Sequence, residues 1–319
     1  MDLDLLFTLL SIPGVSGFEQ RISAKVAELA GGEADEFGVV TSGRSKVAFV
    51  AHLDEVGLIA TSVEDDGKVK FRKAGSIDDA VLKGARVIAY GDSFELTGVI
   101  GVEAPHFGKS GHVEKGAEEL YADFGLTKEE LESLGFGPLT PIAFEKRPAV
   151  AGRFVTSPSL DDRAGTWALL AASREVDAKF VWTTQEEVGL VGAKWISRKL
   201  DVKYAVVVDT MACCNPAVNG PVKPGKGPVI RLFDNYGGYA TRLARAVLDL
   251  ARRRGIPVQI GGGGGGTDAA AFVQAGVLAV AIGIPNKYAH SPAEMVHLDD
   301  LKNAVELIKA LAQELPTLL

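Results

Sequence analysis

Two adjacent carboxylates, Glu186 and Glu187, close the apolar run of FVWTTQEEVGLVG at residues 180–192. On extended backbone, consecutive side chains point to opposite faces, so one carboxylate can bind a metal while its neighbour faces the ligand water. That division of labour suits a hydrolytic metal site. Alone, such a pair is ordinarily a solvated surface feature. Its company changes the reading. Apolar runs also end at or near His52 (VAFVAH), Asp209 (YAVVVD) and His290 (a few residues beyond AVAIGIP), and Asp161 stands in SLDDRAG just before a predicted helix. Ligands of open α/β sheets bind beyond the carboxyl ends of the strands, where groups distant in sequence converge. Singly, strand-end acids often cap helices and most histidines are structural. Together, two imidazoles and three carboxylates suit two divalent cations, one carboxylate bridging at about 3.5–4 Å metal separation.

The elements that must position these groups are readable from periodicity. Residues 3–10 and 18–29 have the spacing of amphipathic helices, parted by a turn at Pro13 and Gly14. A buried strand ends at His52, and beyond Ala60 the texture becomes short, alternating and glycine-punctuated, as in antiparallel β structure. Thr127, with Glu130 three positions on, predicts the start of a short helix within that region. From Leu160 onward helices alternate with continuous apolar strands. The expected fold class is α/β, a largely parallel sheet with helices on both faces, interrupted by a small β-rich insert. The expected division is a catalytic domain over 1–62 and 154–319 around an insert at 63–153.

With 319 residues, 47% of them hydrophobic, the chain can bury one large core or two domains. A net charge of −7, from 41 acidic and 34 basic side chains, argues against a nucleic-acid surface. Cys213 and Cys214 are adjacent, an awkward geometry for a disulfide and too few thiols for a stapled secreted scaffold. LDLLFTLLSIPG near the amino terminus has Asp2 and Asp4 where a signal peptide carries basic residues. No apolar run reaches the roughly 20 residues of a membrane span. A cytoplasmic protein without membrane or nucleic-acid partners is expected.

HLDEVG from His52, LDDRAG from Leu160, QEEVGLVGA from Gln185, VVD ending at Asp209, GGTDA from Gly265 and YAHSPAEM from Tyr288 span nearly the whole chain. In that order they resemble the tetrahedral aminopeptidases, di-metal exopeptidases that include deblocking aminopeptidases and relatives labelled endoglucanases. The resemblance implies that His52 and Asp209 bind one metal, Glu187 and His290 the other, and Asp161 bridges both. Glu186 would be the general base, and Asp54, two positions after His52, would fix the imidazole tautomer. Choosing Asp161 over Asp162 follows from the resemblance, not from physics. It further implies zinc, with cobalt or manganese as alternatives, short peptides with a free amino terminus as substrates, and a homododecamer built from dimers through the β-rich insert.

The sequence also departs from that pattern. TMACCNP, after Asp209, is one residue shorter than the family's loop and lacks its acid before proline, which bears on the side-chain pocket. The six glycines at 261–266 exceed the short turn expected there, and His106 and His112, in the insert, are expected to be structural or contact residues.

Rival functions make different demands. A metal-dependent deacylase of N-acyl amino acids or peptides would use nearly the same ligands, but SLDDRAG in place of an Asp-x-Lys-Gly pattern favours the aminopeptidase branch. A retaining glycosidase needs carboxylates about 5 Å apart, which adjacent side chains pointing apart do not supply. GGGGGGTDAA satisfies G-x-G-x-x-G trivially, without the acid about 20 residues on or the lysine of a phosphate loop. A non-catalytic scaffold assembled through the insert would need no metal at all.

Overall fold

The computed structural model describes residues 1–102, 119–215, 217 and 221–318; His106 and His112 lie outside them. The chain opens with α1 (Leu3–Ser11), started by the Asp2 carboxylate accepting the Leu5 N–H, and α2 (Gln20–Ala30), which ends at Gly31 in the left-handed region. Short β1 (Glu33–Ala34) and β2 (Val40–Ser42) lead into β3 (Val47–His52), buried along its whole length.

The chain then leaves the main sheet for a closed antiparallel barrel. Its parts are β4 (Gly57–Val63), β5 (Val69–Ala74), α3 (Asp79–Leu82), β6 (Arg86–Tyr90), β7 (Glu95–Ile100), β8 (Ala122–Asp123), α4 (Lys128–Ser133) and β9 (Pro141–Phe144). The strands close in the order β4-β5-β8-β7-β6-β9, the pairing of Leu58 with Ile142 joining the ends. Closure removes the open edges that short strands would otherwise expose. Leu58, Phe71, Val87, Phe136 and Phe144 fill the interior. The helix predicted at Thr127 forms with a capping box, Thr127 and Glu130 each accepting the other's backbone N–H.

The chain returns through β10 (Ala149–Ala151) and β11 (Phe154–Ser157) to α5 (Leu160–Ser173), β12 (Lys179–Thr183), α6 (Val191–Ile196) and β13 (Tyr204–Cys213). There follow β14 (Val229–Arg231), β15 (Phe233–Asp234), β16 (Gly237–Gly238), α7 (Thr241–Arg253), β17 (Gln259–Gly261) and α8 (Ala269–Gln274). β18 (Leu278–Lys287), β19 (Glu294–His297) and α9 (Leu298–Leu318) complete it. The main sheet runs β1-β2-β12-β3-β13-β18-β19-β11-β10, with β14 and β17 attached beside β18.

The expectation of a largely parallel sheet needs correction, because the sheet is mixed. β12, β3, β13 and β18 are mutually parallel, whereas β2, β19 and β11 pair antiparallel with their neighbours and β14 runs antiparallel to β18. Continuous apolar runs report burial on both faces, and flanking strands under helices meet that condition in either direction. Along the central strands, side chains alternate with period two between two cores. Phe49, Val206, Val208, Ile282 and Trp182 join one core with α1, α5, α7 and α9, while Val50, Val207, Ala281 and Val181 join a second core with α6 and α8.

Cys213 and Cys214, whose adjacency argued against a disulfide, are joined by one at the end of β13, their Cα atoms 3.2 Å apart. No helix among the described residues is long and apolar enough to cross a membrane.

Candidate metal centre

Strand register brings the first groups together. Thr183 on β12 pairs with His52 on β3, and the pairing of Val50 with Val207, carried two residues further, sets His52 opposite Asp209 on β13. Neighbouring strands lie about 4.8 Å apart, so side chains on one face of such a row meet. The His52 Nε2 stands 3.7 Å from the Asp209 Oδ1 and 3.3 Å from the Asp161 Oδ1. Asp161 comes from the non-helical start of α5. His290, in the connection between β18 and β19, places its Nε2 3.4 Å from the Asp161 Oδ2 and 3.2 Å from the Glu187 Oε1. One carboxylate therefore offers an oxygen to each imidazole.

These spacings fit a metal centre better than a hydrogen-bonded cluster. Ligands about 2.0–2.1 Å from a tetrahedral cation are about 3.3 Å from one another, close to the four separations above. The Glu187 Oε1 is buried and has no hydrogen-bond partner although His290 is beside it. Single donor atoms of His52, Asp161 and Glu187 lie within 4.8 Å of one another, as do those of His52, Asp162 and Asp209. The neighbouring aspartates differ in what they face. The Asp162 Oδ1 accepts the Gly165 N–H at 2.8 Å as a helix cap, whereas Asp161 faces both imidazoles.

Both rings are oriented from behind. The His290 Nδ1 is 2.7 Å from the Ser76 carbonyl oxygen, and the His52 Nδ1 is 3.2 Å from the Asp54 carbonyl oxygen, so each Nε2 is left as the acceptor toward the centre. The Asp54 carboxylate, expected to hold the His52 tautomer, stands further from that ring, at 3.5 Å. Its own hydrogen bonds go elsewhere. Oδ1 accepts the Glu186 N–H at 2.9 Å, and Oδ2 accepts the Glu187 N–H at 3.1 Å and the Ser16 hydroxyl at 2.7 Å. Glu186 and Glu187 thus sit in a turn beyond β12 rather than on the extended backbone assumed from sequence, and Asp54 fixes that turn.

Four polar groups at the centre had no role assigned from sequence. Glu19 accepts the Gln185 N–H at 3.0 Å, Glu294 accepts the N–H groups of Asp161 and His290, and Asp268 accepts the Thr183 hydroxyl. Arg231 lines the cavity. Asp268 and Glu294 lie inside the GGTDA and YAHSPAEM motifs, and Arg231 is a lone charge in the apolar segment VIRLF, which was the available signal.

The electrostatics are those of a carboxylate cluster with no cation beside it. Burial opposes charge on His290, but Asp161 and Glu187 outweigh it and push the imidazole up to about 12. Burial would also raise Asp161, yet the two imidazoles hold it far below the usual carboxylate range. Glu186 is lifted well above that range by burial, against the opposing pull of His52 and with Asp209 and Glu187 adding to the rise. Further out, burial and the Asp54 charge raise Glu19 to about 7, and burial raises Asp268 to about 7.

Those last two groups give a testable sign. A carboxyl whose folded pKa exceeds its unfolded value binds more protons in the native state, so its contribution is full below about pH 4 and is lost as pH rises through 7. Each unit is worth about 1.4 kcal/mol. Chelator-treated protein should therefore melt about 5 °C or more lower at pH 8 than at pH 5, and added divalent cation should narrow the gap. Scanning calorimetry finding the chelated protein more stable at pH 8 would contradict this.

A cavity of about 660 Å³ opens over the centre, lined by Glu186, Glu187, Thr210, Cys213, Arg231, Tyr236 and Gly264 to Gly266. The polyglycine run has a packing cause at two positions. A Cβ on Gly262 would fall 2.4 Å from the Phe233 ring, and one on Gly266 would fall 1.9 Å from the Tyr236 ring. The Arg231 side chain is 2% exposed, and its Nε and Nη2 have no hydrogen-bond partner. Among the described residues it enters no ion pair, and a buried guanidinium left so is costly.

The chain is similar to known proteins over nearly its whole length. A family model described as M42 glutamyl aminopeptidase matches residues 37–307. Lysyl aminopeptidase of Pyrococcus furiosus is 29% identical over 342 residues, covering 99% of this chain and 98% of that protein. The TET1 peptidase of Pyrococcus horikoshii, described as assembling into a tetrahedron or a large octahedral shell, is 39% identical with a TM-score of 0.90, covering 98% of this chain and 99% of that one. A Thermotoga maritima structure described as an endoglucanase is 27% identical with a TM-score of 0.79, covering 96% of each chain.

Proposed function

Since the chain belongs to the M42 glutamyl aminopeptidase family and is thereby a hydrolase of peptide bonds, we propose that it is a di-metal aminopeptidase that removes acidic residues from free amino termini. The observation that carries the two-metal reading is Asp161, one oxygen turned to each imidazole. His52 and Asp209 would hold one cation, Glu187 and His290 the other, and the imidazole and carboxylate donors suit zinc, with cobalt or manganese as close substitutes. Bound there, divalent cations would acidify a water and polarise the scissile carbonyl.

The chain's own residues supply the remaining steps. Glu186, its N–H held by Asp54, takes a proton from water and returns it to the departing amine. Arg231 receives the first side chain. Its buried guanidinium, with Nε and Nη2 free of hydrogen-bond partners, matches the carboxylate of an amino-terminal glutamate or aspartate and repels a lysine, so this cavity resembles the family's glutamyl name more than the lysyl one.

Assembly belongs to the same reading. The barrel exposes Leu134 and Leu139, the latter by 70%, as a face for a second copy, and a shell of such dimers would admit only short peptides.

One purified sample tests all of this. We expect metal analysis to find two cations per chain and light scattering to find a multiple of the 33.6 kDa chain mass. Glutamyl chromogenic anilides should be cleaved faster than leucyl or lysyl ones, and N-acetylated ones hardly at all. Arg231→Met should lower kcat/KM for the glutamyl substrate roughly 100-fold or more while leaving the leucyl substrate within a few-fold. Faster turnover of N-acetylated substrates would favour a deacylase, and equal loss on both anilides would remove Arg231 from substrate selection.

A further inference from the structure

We propose that Glu294 is a positioning residue that fixes the spacing between Asp161 and His290, and thereby the affinity of the cation those two share. The inference rests on the two-cation reading above and adds a group that touches no cation itself. Glu294 is 1% exposed. Its Oε2 accepts the Asp161 N–H at 2.9 Å and the Asn286 side-chain amide at 3.0 Å, and its Oε1 accepts the His290 N–H at 2.9 Å. One carboxylate thus spans the backbones of two residues 129 positions apart in sequence, as their numbers give.

The strand order explains why this residue can do so. β19 lies between β11, which leads toward Asp161, and β18, which leads toward His290. Glu294 is the first residue of β19, in register with Ser157 at the end of β11. A carboxylate at that point reaches the chain on both sides. The connection it holds is not a relaxed one, since Tyr288 and His290 have φ of 62° and 61°, in the left-handed region that side chains other than glycine disfavour. Backbone held there persists only when its surroundings over-determine it. The hydrogen bond to the His290 N–H is one such restraint, and the Ser76 carbonyl on the ring Nδ1 is another. Asp54 serves the opposite wall in the same way, through the N–H groups of Glu186 and Glu187.

The isosteric change Glu294→Gln separates this role from mere packing. An amide has one accepting oxygen, so its NH2 must face either the Asp161 or the His290 N–H, donor against donor. We expect wild-type protein to bind two zinc ions per chain, and the Gln variant to keep one at wild-type affinity while the other weakens about 10–100-fold. Activity should return as zinc is raised, and the visible spectrum of the cobalt-loaded variant should change for the weakened ion only. Equal weakening of both ions, or of neither, overturns the proposal. A wild-type chain that binds fewer than two ions overturns the two-cation reading and this proposal with it. A second measurement needs no variant: in metal-free wild-type protein the Asp161 and His290 amides should exchange slowly with solvent, and exchange at the rate of free loops would overturn the clamp.

Discussion

Replacing Asp161 by Ala is expected to strip both cations and lower kcat/KM by at least about 10⁴-fold, more than the loss of a single general base. The reason is geometric. Among the described residues Asp161 alone of the carboxylates stands within 3.4 Å of both imidazole Nε2 atoms, one oxygen to each, so its removal would open both proposed coordination sets at once. Outer groups that only orient ligands already cost 10–100-fold in affinity, and a shared ligand must cost more. The neighbouring Asp162→Asn is the internal control. Its side-chain oxygen can still accept the Gly165 N–H, so metal content and activity should stay within about tenfold of wild type. Metal analysis after exhaustive dialysis decides the matter. A metal-free Asp162 variant beside a fully loaded Asp161 variant would reverse the assignment.

Glu186→Gln should give the opposite dissociation, with cations retained and turnover lost. The Glu186 carboxylate is no part of either convergent donor group, while its N–H is fixed by Asp54 and its side chain lines the cavity. Loss of a positioned base costs about 10²–10⁴ in rate, and the fall should appear in kcat with KM little changed. Wild-type turnover in a fully loaded variant would remove Glu186 from proton transfer.

Much of this centre was legible before any coordinates, for a physical reason. Strands buried on both faces read as apolar runs, and a polar residue that interrupts such a run at its carboxyl end stands where α/β sheets place ligands. His52 and Asp209 were visible on that ground, as was the acidic pair Glu186 and Glu187, though not the turn that carries it. The local chemistry at Thr127 was equally readable, because a capping box is complete within four residues.

Other features depend on contacts that no local pattern encodes. The Glu186 N–H meets Asp54 across 132 positions and the Asp161 N–H meets Glu294 across 133. Periodicity reports that a residue is buried but not what it is buried against, so nothing local assigned a role to Glu19, Glu294 or Arg231. Strand direction was hidden likewise, since β19 and β11 bury their side chains whichever way they run.

By itself, then, the amino-acid order determined which side chains stand at strand ends and which stretches turn apolar faces to a core, since burial and capping are settled over a few neighbouring residues. Only the tertiary structure decided that Asp161 rather than Asp162 faces both imidazoles, that an outer carboxylate holds the Asp161 backbone, and that a guanidinium with Nε and Nη2 unpartnered shares the cavity. Those outcomes depend on the direction in which a side chain leaves its backbone and on partners more than a hundred residues away.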